Sequence, residues 1–422
     1  MSVFPYAYDQ FDLPNSLRVI TVPAPYRQIA SLYIVVSAGS RNEIEPGRSG
    51  FAHFFEHMMF RGTPAFPSER YEAAIQSAGA SSNAYTDDDR TVYHTTLAAE
   101  DLDSLMAMEA DRFQNLSYPE QDFRTEALAV LGEYNKDSTE PVNKLLEVLR
   151  DRAFDVHTYK HTTMGFLRDI ERMPEMYDYS LSFFDRFYRP EYTTLIVAGD
   201  VTSAQIRDMA QRHWGAWKRG SWTAQPDREP PPSAAREAHI SWPTHTLPYI
   251  LLGFRAPAYS DSLPASAALD LAAYLGFGED SPLYADLVLD NQWVDILWAS
   301  NADHIDPYLF TVLVRGKDPS RLNDVRARVL ETINEFSAVE VDPVRLAGAQ
   351  RRLRYQYALT MNSCEGIASS LAHAVSLTRG IETINRRQAL IESLAPADLI
   401  AAARAHLTES AMTVVTLSEV VR

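Results

Sequence analysis

His53 and His57 stand four positions apart in His53-Phe54-Phe55-Glu56-His57. On a helix, residues so spaced share one face, so both imidazoles can reach one metal ion. Neutral imidazole suits zinc, and a zinc centre that does chemistry has three protein ligands and one open position. Glu56 directly precedes the second histidine and lies beside the pair, placed to take a proton from a water activated there. The competing reading is two histidines that cap, pack or face solvent. Phe54, Phe55, Met58 and Phe60 would bury this helix. A buried histidine pair beside a carboxylate needs a metal or several hydrogen-bond partners.

A third ligand must come from elsewhere. The helical pattern 122–136 carries Glu126 and Glu133, seven positions and two turns apart on one face. Ala127, Leu128, Val130 and Leu131 surround them and are expected in the core. Glutamates on such a helix need a positive partner, unless they simply face water. Glu133 is the candidate for a metal role. His157 and His161 form a second pair at this spacing, but Thr158-Tyr159-Lys160 between them brings no carboxylate, and they are not read as a second centre.

These residues need a scaffold. The motif helix is expected from Gly50 to Phe60, stopped by Gly62 and Pro64. Strands Leu17–Val22 and Ile29–Ala38 precede it. A helix Glu69–Ala78 follows, then strands Ser81–Tyr85 and Thr91–Leu97 around Asp87-Asp88-Asp89. Further on come helices Glu100–Gln114, Asp122–Lys136 and Ser203–Trp214, with a strand at Leu195–Ala198. Pro230-Pro231-Pro232 cannot lie inside a helix or a central strand. They cut the chain into 1–222, a linker at 223–233, and 234–422. The sides are alike: Ile29–Ser40 and Tyr249–Phe254 are strands that each run through a loop into a helix, and Thr193–Ala198 resembles Met412–Leu417. The expectation is an α+β fold of two homologous domains. The helix of the second, Ala267 to Ala273, has no pair of metal ligands.

Composition bounds the rest. A chain of 422 residues exceeds one ordinary core, and 46% hydrophobic with 23% charged residues excludes disorder as the dominant state. A net charge of −17 argues against a nucleic-acid partner and is compatible with cationic substrates. The lone Cys364 excludes internal disulfides and cysteine-rich zinc modules. The N-terminus shows no basic stretch followed by an apolar run, and the longest apolar stretch, Ile29–Ala38, is about half a membrane span. No membrane association is expected. The location expected is cytoplasmic, or periplasmic if a leader has been removed.

The inverted His-x-x-Glu-His motif and the run from His53 to Thr63 resemble the pitrilysin/insulinase family of zinc peptidases, the inverzincins. Ser82-Asn83-Ala84-Tyr85-Thr86 and Thr91-Val92-Tyr93 resemble that family's substrate-binding edge strand and its neighbour. Tyr188-Arg189-Pro190 and Val197-Ala198-Gly199-Asp200 resemble the end of its first domain. The short members, such as the catalytic subunit of mitochondrial processing peptidase and its bacterial relatives, are most alike. The resemblance implies two domains, each a mostly antiparallel sheet covered by helices, together half of a clamshell. It implies a metalloendopeptidase with one Zn2+ per chain on His53, His57 and Glu133. Glu56 would be the general base and Glu126 would hold one histidine by a hydrogen bond. The peptide substrate would lie as an added strand along Asn83 and Ala84, with Tyr85 beside the scissile bond.

One departure stands out. Self-sufficient relatives carry in the second domain an Arg and, seven residues on, a Tyr that hold the substrate carbonyl. Anchored on Ser281–Leu287, those places fall here on Val288 and Asp295. The resemblance therefore implies a heterodimer whose homologous partner supplies the Arg/Tyr pair. The alternative is a non-catalytic core or interaction subunit of the same family, although such chains usually lose the zinc ligands kept here. A metal-dependent hydrolase of another substrate class is the remaining reading, and no phosphate-binding loop supports it.

Overall fold

The computed structural model describes residues 2–420. Among these, the strands form two mixed sheets. The first uses β1 (Asp9–Asp12), β2 (Arg18–Pro23), β3 (Ile29–Val36), β4 (Ser81–Thr86), β5 (Thr91–Ala98) and β6 (Thr193–Gly199), in the spatial order β1-β2-β6-β3-β5-β4. The second uses β7 (Arg236–Trp242), β8 (Tyr249–Arg255), β9 (Val294–Asn301), β10 (Leu309–Gly316) and β11 (Met412–Glu419), in the order β7-β11-β8-β10-β9. Leaving β1 aside, the two orders correspond strand for strand. In each, the last strand in the chain runs parallel to the first, β6 beside β2 and β11 beside β7, and the other pairings are antiparallel. The fold is α+β with two such domains.

The helices of the first half are α1 (Phe51–Met58), α2 (Ser68–Ser77), α3 (Leu102–Asn115), α4 (Glu120–Asp137), α5 (Pro141–Ala153), the single turn α6 (Leu167–Ile170), α7 (Tyr177–Phe187) and α8 (Ser203–Trp214). Those of the second are α9 (Pro264–Phe277), the short α10 (Pro282–Tyr284), α11 (Leu322–Ala338), α12 (Pro343–Thr360), α13 (Cys364–Thr378), α14 (Glu382–Ser393) and α15 (Pro396–His406). No described helix is long and apolar enough to cross a membrane.

Side chains alternate across a strand, so each sheet has two apolar faces to cover. On the first sheet Leu32, Ile34, Leu195 and Val197 pack with α1, α3, α4, α7 and α8. Tyr33, Val35, Ile196 and Ala198 point the other way and are covered by α13, from the far half of the chain, through Ile367, Leu371 and Val375. The second sheet reciprocates. Ile250, Leu252 and Val312 pack with α9, α11 and α15, while Leu251, Leu313 and Val415 receive Leu145 and Leu149 of α5 from the first half. A Cβ on Gly253 of β8 would lie 3.1 Å from Leu149, so glycine lets α5 settle close on the sheet. The two halves thus exchange one helix each. The proline-rich segment is pinned as well, because Glu229 accepts hydrogen bonds from the backbone N–H groups of Asp155, Val156 and His157 at 2.7–2.9 Å.

Candidate active site

Phe51, Phe54, Phe55 and Met58 recur at i, i+3, i+4 and i+7 and form the buried stripe of α1. Phe54 packs edge-on against Phe123 of α4, and Phe55 stacks on Phe183 of α7. That stripe turns His53, Glu56 and His57 to the opposite side. The start of the helix is built with care. Gly50 precedes it at φ +95°, a left-handed conformation suited to glycine, and a Cβ there would strike the Met164 carbonyl oxygen at 2.7 Å. The buried Glu43 accepts from the N–H groups of Gly50 (2.8 Å) and Ala52 (2.6 Å), and burial pushes its carboxyl up to about 8.

On α4 the buried stripe is Phe123, Ala127, Val130 and Tyr134. Leu128, expected in the core, lies off this stripe and is 57% exposed. Glu126 and Glu133 flank the stripe and face α1. His53 Nε2 lies 3.8 Å from Glu133 Oε1, and His57 Nε2 lies 3.3 Å from Glu133 Oε2. One ligand atom from each of His53, His57 and Glu133 falls within 4.8 Å of the others. Among the described residues, this is the one group of His, Cys, Asp and Glu placed to hold a metal ion.

The surrounding groups set the chemistry of these donors. Glu126 Oε1 lies 2.9 Å from His57 Nδ1, and Arg61 Nε donates to Glu126 Oε2 at 2.8 Å. Burial opposes the Glu126 charge, but the bonds from His57 and Arg61 outweigh it and hold its carboxyl below the usual range. An ionised carboxylate only accepts, so His57 Nδ1 carries a proton; the Glu126 bond raises the His57 pKa against its burial, and once the ring is neutral its Nε2 lone pair points towards Glu133. Burial, with the His57 charge beside it, pushes His53 down to about 4, so that ring is neutral. Its Nδ1 is buried without a hydrogen-bond partner. Two imidazoles and one carboxylate whose donor atoms converge in this way fit a zinc ion.

Glu56 lies beside the donors. Thr86, the last residue of β4, donates from Oγ1 to Glu56 Oε2 at 2.7 Å. Burial pushes the Glu56 carboxyl up, against the Thr86 bond, which is the direction a base working near neutral pH requires. Together with His53, Glu133, Thr86 and Tyr85 it lines a cavity of about 450 Å³. Tyr85 on β4 borders the cavity but packs on the other face of the sheet, beside Tyr33 and Val92, with Arg90 5.8 Å above its ring. Asn83 and Ala84 precede it on the same strand, which pairs with β5 on one side and, among the described residues, is unpaired on the other.

Sequence reasoning did not identify Thr86 as a partner of Glu56, Arg61 as a partner of Glu126, or Tyr308 of the second half as part of the cavity wall. The first two lie inside the runs singled out above, but nothing in their spacing shows the contact. Val288 packs at the edge of the second core, and Asp295 accepts from Arg315 Nε at 2.8 Å. His157 and His161 lie apart from this site: His157 Nε2 is 3.1 Å from Asp306, and His161 Nε2, buried without a hydrogen-bond partner, is 3.7 Å from Glu43.

Comparison with known proteins bears on the family and the fold. A model of the insulinase family, peptidase family M16, matches residues 18–166, and one of the peptidase M16 inactive domain matches residues 177–353. The zinc protease PqqE of Helicobacter pylori is 24% identical, over 97% of this chain and 92% of its own. The crystal structure of a protease from Helicobacter pylori superposes with a TM-score of 0.91 at 22% identity, covering 98% of this chain and 100% of that one. The periplasmic protease PqqL from Escherichia coli superposes with a TM-score of 0.77 at 17% identity, covering 99% of this chain but 48% of that one.

Proposed function

We propose that this chain, which belongs to the insulinase family of M16 peptidases, is a zinc-dependent endopeptidase subunit. The observation that carries the reading is the convergence of His53, His57 and Glu133 on one point, with Glu56 beside them in the same cavity. Zinc held by these three residues would supply a Lewis acid that polarises the scissile carbonyl and lowers the pKa of water. The chain's own residues do the rest. Glu126 holds a proton on His57 Nδ1, so Nε2 is the nitrogen presented to the metal. Thr86 occupies Glu56 Oε2 and leaves Oε1 to take the proton from water and pass it to the leaving amine. The free edge of β4 at Asn83 and Ala84 would receive the peptide backbone as an added strand.

Asp137 also lines the cavity, as does Glu147, which is paired with Lys144 at 2.7 Å. Arg150, the basic residue there, is committed to Asp88 at 2.5 Å. This acidic wall supports a preference for basic or extended peptides. With Asp295 held by Arg315 and Val288 in a core contact, this chain offers no Arg/Tyr pair at those places. That observation, with the half-length match to a longer protease, supports a homologous partner subunit that completes the enclosure.

The test is Glu56→Gln in the purified chain, alone and with its partner. Zinc content should stay at one per chain while peptide hydrolysis falls to background. Hydrolysis that survives the substitution overturns the role of Glu56. A wild-type complex that binds zinc and cleaves no peptide points instead to a non-catalytic core subunit.

A further inference from the structure

The second domain repeats the first, and the repetition marks where a second site lies. Asp270 is the seventh residue of α9, as His57 is of α1. Gln356 is the fourteenth residue of α12, as Glu133 is of α4. Asp270 and Gln356 line a cavity of about 400 Å³ between α9, α12, α13 and α14. The crevice that holds the metal ligands in one copy thus survives in the other with different chemistry.

At the position of His57, Asp270 is held in an ion pair with Arg387 of α14. Arg387 Nη2 donates to Asp270 Oδ2 at 2.5 Å, and Asn301 Nδ2 donates to Asp270 Oδ1 at 2.9 Å. Asp270 and Arg387 therefore balance each other. Asp303 is a second carboxylate on the same cavity. His373 Nε2 lies 3.2 Å from its Oδ2, and His373 Nδ1 lies 3.1 Å from Arg90 Nη1. A guanidinium can only donate, so His373 Nδ1 accepts and the ring proton sits on Nε2. His373 is then neutral and offers Asp303 a hydrogen bond without a charge. Asp303 Oδ1 has no hydrogen-bond partner and lies 3.8 Å from Arg387. The lining carries two carboxylates against one cation. Burial and the negative Asp303 both push Asp270 up while Arg387 pulls it down, as expected when two acids share one guanidinium. The rest of the wall is mainly apolar, with Leu353, Leu377 and Ile384 beside the Tyr357 ring, interrupted by neutral polar groups such as Gln356 and Gln388.

We propose that this cavity binds a single protonated amine or guanidinium on an apolar stem, its charge set against Asp303 and its stem between Leu353, Leu377 and Ile384. One positive charge neutralises the excess, and the apolar walls select the stem over a bare ion. The group can come from a free amine or from a side chain of a peptide; both present the same chemistry.

The probe is phenethylamine, with 2-phenylethanol as its neutral counterpart, titrated calorimetrically into the full-length chain. The amine should bind at least tenfold more tightly than the alcohol. Asp303→Asn should weaken the amine at least tenfold, and His53→Ala should leave its affinity unchanged. Equal binding of amine and alcohol overturns the proposal, as does an unaltered Asp303→Asn, or a loss on His53→Ala, which would place the amine at the metal centre. If Asp303→Asn does not fold, Leu377→Trp decides: it fills the cavity, and an amine that still binds refutes the site. Displacement of the amine by a lysine-bearing peptide, but not by its norleucine analogue, assigns a peptide side chain as the source. No displacement by either assigns a free amine.

Discussion

Replacing Glu126 by Gln probes the proposed metal centre without removing a ligand. Glu126 accepts at both oxygens, from His57 Nδ1 (2.9 Å) and from Arg61 Nε (2.8 Å). A glutamine keeps one accepting oxygen and turns an NH2 towards the other partner. If the oxygen stays on Arg61, His57 Nδ1 faces a donor. The ring then adopts the other tautomer, and Nε2, the nitrogen facing Glu133, carries the proton instead of the lone pair. If the oxygen stays on His57, Arg61 loses its acceptor and the carboxylate charge is gone. Arg61 has a side chain 40% exposed, so water repairs part of that loss. A hydrogen bond to a charged group contributes about 1.5–3 kcal/mol, and each ~1.4 kcal/mol is a factor of ten in affinity. The amide will settle in whichever arrangement costs less. Zinc affinity should therefore fall about tenfold, at the low end of the ~10–100-fold seen when such outer partners are removed. The assay is competition with a chromophoric chelator, beside a thermal melt to show that the variant is folded. A folded Glu126→Gln chain with zinc affinity within about twofold of wild type would refute the argument that Glu126 sets the His57 tautomer.

Thr86→Val removes the donor to Glu56 Oε2 and should lower kcat by about tenfold with KM and zinc affinity little changed, with Thr86→Ser restoring it; steady-state kinetics with unchanged kcat would rule out a positioning role. His304 has Nε2 2.9 Å from Asp88 Oδ2 and Nδ1 3.1 Å from the Ala302 carbonyl, so both nitrogens face acceptors. Burial opposes its charge, but Asp88 and Asp89 outweigh it and raise the His304 pKa above the ordinary 6.5. A raised histidine contributes stability that is full below about 6.5 and is lost as pH rises through the folded value. Thermal melts should show His304→Gln well below wild type at pH 6 and much closer to it at pH 9; a gap that widens with pH contradicts this. Leu149→Ala on the exchanged helix α5 should cost about 2–5 kcal/mol in urea unfolding, still as a single transition for both halves. A first half that stays folded while the second unfolds would show that the exchange does not couple them.

The elements of the candidate site were legible because their periods are strong. Phe54, Phe55 and Met58 announce α1 and the face it buries, Phe51 completes that stripe, Phe60 lies half-buried beyond the helix, and the observed helical segment ends where Gly62 and Pro64 require. The α4 pattern was read correctly as a helix but too generously as a core. Leu128 is apolar, yet it sits one position past Ala127 and so turns away from the stripe Phe123, Ala127, Val130 and Tyr134. The strand β7 begins three residues after Ser233 and was missed, since its alternating Arg-Glu-Ala-His-Ile-Ser-Trp carries little apolar signal. Contacts between distant segments were not legible at all. Nothing in the run Ser82–Thr86 shows that its last hydroxyl reaches Glu56, because spacing along the chain fixes faces within an element and not the register between elements.

The same limit explains why duplication could be suspected while its consequence could not. Hydrophobic periodicity states that α5 and α13 each bury a stripe, but not on which sheet. The structure lays each across the sheet of the other half. A fold built in this way has no point at which one half can be removed without exposing an apolar sheet face in the other. The second domain is therefore kept for stability, whatever its own chemistry. This frees the positions on α9 and α12 that correspond to the metal ligands on α1 and α4. There the buried Arg387 is held by Asp270 and lies 3.8 Å from Asp303, so two carboxylates share one guanidinium. A domain kept only as scaffold would be expected to close that crevice with apolar side chains, because an unbalanced carboxylate beside apolar walls costs stability. Its persistence as a lined cavity is the strongest reason to test the second domain for a ligand of its own.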